Sequence, residues 1–279
     1  MNAPAAVLGI VLASTAVGSS VLLWFAPTFG KVRRGYDLLT GGTIILLAWG
    51  AWASFSVPVS TLEGTPLAET GGLARTLLLA LAAGTILAVV AKVLRAPDPL
   101  VRILGGVATL AGLGSFVPLA TIRAERGGAG GLLQGVAELG LGAFLMGAIW
   151  VGLILGHWYL VERRLSNRYM VWLAWTNVVA IGAGLASVLL SARNPVPCEG
   201  LPAGGEFERC QVMFAPVLRI DSMSVVLGLG VLALLALISG FNVKLAKEGG
   251  RSIQASTGMF YLAVILAPAV EFAAKVRFF

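Results

Sequence analysis

One histidine and two cysteines in 279 residues rule out most metal and redox chemistry before any motif is sought. A single imidazole cannot supply the two axial ligands of a bis-histidine haem, and no Cys-x-x-Cys-His run attaches a c-type haem. His-Glu-x-x-His, the Walker A loop, Gly-x-Ser-x-Gly and clustered carboxylates are missing as well. Charge is scarce too. Only 12 % of residues are Asp, Glu, Lys or Arg, about half the share of an ordinary soluble domain. The chain is therefore not expected to carry out covalent catalysis alone, nor to hold a covalent cofactor.

What the sequence has in excess is apolar length. Hydrophobic residues make up 58 % of it, and the mean hydropathy is +0.91. Eight stretches of roughly 20 residues match a hydrocarbon core about 30 Å thick. They predict helices near Ala5–Ala26, Leu38–Val59, Leu73–Val93, Leu100–Ala120, Ala137–Leu160, Met170–Ala192, Ser222–Phe241 and Ile253–Phe272. The expected fold is all-α: one polytopic membrane domain over 1–279, built from four consecutive helical hairpins. Pro27, Pro58 and Pro118 fall at the ends of these stretches, whereas Pro268 lies inside the last and is expected to bend it. The 36 glycines, among them Gly152-xxx-Gly156, read as close helix packing, since no phosphate-binding fingerprint accompanies them.

Every second connection is basic. Gly30–Asp37, Ala91–Arg102, Val161–Tyr169 and Asn242–Ser252 hold twelve of the 20 Lys and Arg residues but only four of the 13 acids. Short cytoplasmic loops are enriched in Lys and Arg, so the pattern places these four loops in the cytoplasm and both termini outside. The first span, with no positive charge before Lys31, is expected to be retained rather than cleaved as a signal. A pI near 9.9 generated in this way points to anionic lipid or a cytoplasmic partner, not to nucleic acid. The longest outer connection, 193–221, contains Cys198 and Cys210, which are expected to pair in an oxidising compartment. Free thiols or a metal pair are weaker readings, because no histidine lies nearby.

Two places could hold a ligand. On one helix, Met146, Trp150 and His157 lie within about 40° of each other, and Arg164 extends that stripe. An imidazole and guanidinium beside aromatic rings suit a quinone carbonyl or a lipid phosphate. An ordinary interfacial aromatic belt, with His157 bonded to backbone, gives the same pattern. At the other end, Glu271 and Lys275 stand four apart in the favourable order for an ion pair, three residues beyond Pro268. An ionisable residue inside a span is either functional or paired. Asn177 reads as an interhelical hydrogen-bonding residue.

Eight spans, outer termini and a last helix ending Glu271-x-x-x-Lys275-x-x-Phe278-Phe279 resemble the membrane-anchor subunits of the dimethyl sulfoxide reductase and polysulfide reductase class. The resemblance implies a non-catalytic anchor or accessory subunit of a respiratory complex in the bacterial inner membrane. Such a subunit takes part in electron transport by contacting quinone, with other subunits and membrane lipids as partners. The chain lacks the early-span histidine those anchors tend to carry. A small transporter or lipid-handling protein and a ligand-free scaffold are the alternatives.

Overall fold

The computed structural model describes residues 4–162, 165–195, 205, 208 and 223–278. Among these residues the chain is helical throughout, with eight helical spans long and apolar enough to cross a membrane. It is a multi-pass membrane protein. Span one is α1 (Pro4–Phe25); span two is α2 (Arg34–Ser54) continued by α3 (Ser56–Ser60); span three is α4 (Ala68–Val93). Span four is α5 (Asp98–Gly114) continued by α6 (Phe116–Glu125), and spans five to eight are α7 (Gly131–Val161), α8 (Arg168–Ser191), α9 (Met223–Glu248) and α10 (Ser252–Lys275).

Most of these helices run past the apolar stretches that predict them. Pro58 falls near the end of its span at Ser60, as expected, whereas Pro118 lies inside a span that runs on to Glu125; both spans are divided just before the proline, at Phe55 and at Ser115. A proline N can give no bond to the carbonyl four residues back, here those of Ser54 and Gly114. The neighbouring bonds persist on both sides, from Phe55 N to Ala51 O (3.1 Å) and from Val59 N to Phe55 O (3.0 Å). The span therefore continues. Pro268, by contrast, sits in a helix that stays unbroken from Ser252 to Lys275.

The hairpins associate as two four-helix halves. Spans one to four close a ring in chain order, α1 against α2, α2 against α4, α4 against α5 and α5 back against α1. Spans five to eight do the same through α7, α8, α9 and α10. The halves meet chiefly where α1 packs on α7 and α6 on α7. Burial follows: 83 % of the most apolar window of α1 and 72 % of that of α7 are buried, against 33 % in spans two, three and seven. The outer helices present Leu46, Val107, Leu237 and Ile265 to their surroundings, as a lipid-facing surface requires.

Glycine sets how near the halves come. A Cβ on Gly18 would stand 1.8 Å from the Ala143 carbonyl oxygen, and one on Gly147 would stand 2.2 Å from the Gly18 carbonyl carbon. The two backbones are in direct contact there. Gly152 and Gly156 do similar work on another face of α7, where Phe260 and Thr257 of α10 fill the space a side chain would need. The Thr257 hydroxyl donates to the Gly156 carbonyl at 3.0 Å.

All four basic connections gather at one end of the bundle. Arg33 pairs with Glu162 at 2.6 Å, Arg34 donates to the Val93 carbonyl, and the Asn167 amide reaches the Ala246 carbonyl at 3.5 Å. These links tie the first connection to the second and third, and the third to the fourth. Glu271 and Lys275 belong to the opposite end, where α1 begins and α10 finishes.

Candidate functional site

At the end away from the basic loops, four charged side chains are sealed inside the protein. Glu271 and Lys275 occupy one face of α10, with Lys275 Nζ 3.6 Å from Glu271 Oε1. Lys275 also donates to Ser187 Oγ at 2.9 Å, to the Glu138 carbonyl at 3.2 Å and to Glu138 Oε1 at 3.3 Å. The Ser14 hydroxyl of α1 donates to Glu271 Oε1 at 3.2 Å. The other Glu138 oxygen accepts from Asn194 Nδ2 at 3.1 Å and lies 3.9 Å from the Arg123 guanidinium. Arg123 in turn donates to the carbonyls of Gly131 (3.0 Å) and Ala129 (2.7 Å) and to the Asn194 side chain, with the Phe278 ring 5.5 Å away.

Glu138, Lys275 and Arg123 have side chains 0 % exposed, and Glu271 is 1 % exposed. An isolated charge would be untenable at such burial. Two carboxylates and two cations balance, and serines, an asparagine and carbonyls take up further donors and acceptors. The group spans the seam between halves: Ser14 and Arg123 come from the first, the rest from the second. Gly142 makes room for it, since a Cβ there would lie 2.3 Å from Glu271 Oε1.

The i, i+4 spacing in the sequence foretells the Glu271–Lys275 pair. Glu138, near the start of the predicted stretch Ala137–Leu160, reads from the sequence as a boundary marker, and Arg123 lies beyond the stretch Leu100–Ala120, which the helix outruns.

The other predicted stripe is not assembled into one pocket. Trp150 Nε1 donates to Thr43 Oγ1 of α2 at 3.2 Å, while His157 Nδ1 shares a 3.1 Å hydrogen bond with the Tyr261 hydroxyl of α10. Each thus bonds a different helix, and His157 is exposed at the bundle surface. Arg164 lies outside the described residues, as do Cys198, Cys210 and Phe279. Asn177 is buried and donates to Ser239 Oγ at 3.4 Å, linking α8 to α9 as expected.

A second buried charge group, unforeseen from sequence, lies at the basic end. Lys92 Nζ is 3.0 Å from Asp37 Oδ2 and 2.7 Å from Asp98 Oδ1, above the Phe29 ring at 4.5 Å. Asp37 also accepts the Gly30 N–H at 3.3 Å. Gly30 has φ +68°, and a Cβ there would lie 2.6 Å from Asp98, so both conformation and space call for glycine.

Among the described residues no group of three or more His, Cys, Asp and Glu is arranged to hold a metal ion. Compared with family models, curated proteins and solved structures, the chain matches none of them.

Proposed function

We propose that the chain is an integral membrane anchor or accessory subunit of a respiratory or redox assembly, contacting quinone or lipid and carrying no metal cofactor of its own. The observation that supports this is how the interior charge is used. Glu138, Glu271, Lys275 and Arg123 are matched to one another across the seam, so they fasten helices rather than face a substrate path. The chain's ligand contacts then fall on its periphery, where His157 with Tyr261 offers a polar spot at the lipid boundary. Purification from native membranes should recover a cofactor-bearing partner, with bound quinone that His157→Ala reduces. A chain that is always isolated alone, with quinone content unchanged in both His157→Ala and Glu271→Gln, would sink the idea.

A second reading is a small transporter. It is favoured by the Glu271 carboxylate, which bonds Ser14 across two halves and would change its interhelical contacts on taking a proton. Flux in proteoliposomes that Asn177→Leu abolishes would decide for it. A ligand-free scaffold would tolerate all three substitutions while its assembly persists.

In the proposed threading the basic end faces the cytoplasm of a bacterial inner membrane, and the 193–221 connection with a Cys198–Cys210 disulfide lies outside. After mild reduction, a membrane-impermeant maleimide should label these cysteines in intact cells. Labelling confined to inverted vesicles inverts the threading.

A further inference from the structure

We infer that a recess at the basic end binds the head group of an anionic phospholipid. The inference is independent of any redox assembly and gives the anionic lipid expected at the basic connections a particular site. Two adjoining hollows, about 750 and 570 Å³, share Phe29, Lys31 and Arg102 in their walls and so form one concavity. It opens where the first connection is flanked by α5 on one side and α8 on the other, and Arg168 of α8 completes the rim.

The charge there is unbalanced. Lys31, Arg102 and Arg168 are exposed, and none has a carboxylate within ion-pair distance among the described residues. Asp98 lines the same wall and pairs with Lys92, which also holds Asp37, so these three groups together carry one net negative charge. Three cations therefore outweigh the one uncompensated negative charge beside them, and the opening is net positive. Aromatic faces hold two of them in place: the Arg102 guanidinium lies 5.0 Å from the Phe29 ring and that of Arg168 4.7 Å from Tyr169. Arg168 also donates to the Tyr169 hydroxyl at 2.7 Å, which leaves its charge unspent.

Below the cations the wall turns apolar. Ile103, Val107 and Leu110 follow Arg102 down α5 at helical spacing, each more than 60 % exposed, with Phe25 of α1 alongside at 63 %. Gly106 keeps this face shallow: a Cβ there would touch the Phe25 ring at 3.4 Å. Cations at the rim over about 10 Å of apolar groove match a phosphodiester head group with its acyl chains. A soluble anion would have no use for the lower wall.

Binding of a labelled phosphatidylglycerol to the full chain in neutral detergent tests this, with phosphatidylcholine as the zwitterionic comparison. Lys31→Gln with Arg102→Gln should weaken phosphatidylglycerol binding roughly 25-fold, about a factor of five for each cation. Phosphatidylcholine binding should be unchanged. Both residues are exposed, and the melting temperature of the lipid-free variant checks that it folds. Lys244→Gln with Lys247→Gln, exposed cations of another basic connection, should change the affinity less than about twofold. Four results overturn the inference: equal binding of both lipids, an equal loss in the Lys244/Lys247 control, complete displacement by inorganic phosphate, or displacement by a neutral quinone.

Discussion

Alanine at Gly147 should prevent the two halves from docking. The added carbon would fall 2.2 Å from the Gly18 carbonyl carbon and 2.5 Å from its oxygen. Every atom it meets is backbone, so no rotamer change relieves the overlap, and α1 must move off α7 along its length. Overpacking of a tight core costs about 1–3 kcal/mol where side chains can yield. Here the cost should exceed about 4 kcal/mol, in the range reserved for gross steric failure. Gly140→Ala is the matched control on the same helix, since a Cβ there meets nothing within 4 Å. It removes a helix-destabilising glycine and should leave stability level or raise it by up to about 1 kcal/mol. Thermal melting and size-exclusion profiles in detergent measure both. Equal stability of the two variants would mean the α1–α7 crossing is looser than described.

Lys275→Met should be nearly as damaging, for an electrostatic reason. Methionine fills much the same volume but leaves Glu138 and Glu271 buried without the cation between them. Breaking a buried ion pair from one side costs roughly 3–5 kcal/mol. At about 2–4 °C per kcal/mol, the melting temperature should drop by roughly 10 °C. Adding Glu271→Gln to Lys275→Met should recover much of that loss. One carboxylate is then neutral, and Glu138 keeps Asn194 at 3.1 Å and Arg123 at 3.9 Å. Losses that simply add would show the two residues to be uncoupled, contrary to their 3.6 Å approach.

The spans were legible because a hydrocarbon core imposes a length that any apolar run reveals. Their ends were not. Pro118 looks like a terminator in a sequence, yet a span surrounded by other helices tolerates the missing bond and continues to Glu125. That extension carries Arg123 into the interior, where it joins Glu138 in a site of which only Glu271 and Lys275 were visible beforehand. Local spacing reveals an i, i+4 pair, but it holds no information about a partner 137 residues away. His157 and Trp150 show the converse limit. They share a stripe by periodicity, yet neighbouring helices give each its own partner, Tyr261 and Thr43.

From the order of its residues alone this protein is an eight-span helical membrane protein with its basic connections on alternate turns. Apolar length and loop charge are properties of short segments, read by lipid one segment at a time. Tertiary packing alone decided that α1 and α7 form the centre, that Gly18 and Gly147 touch, and that Ser14, Arg123, Glu138, Glu271 and Lys275 share one charge-balanced group. Those outcomes depend on which helix faces meet. In a bilayer, where apolar faces are nearly interchangeable, small residues and buried charges make that choice.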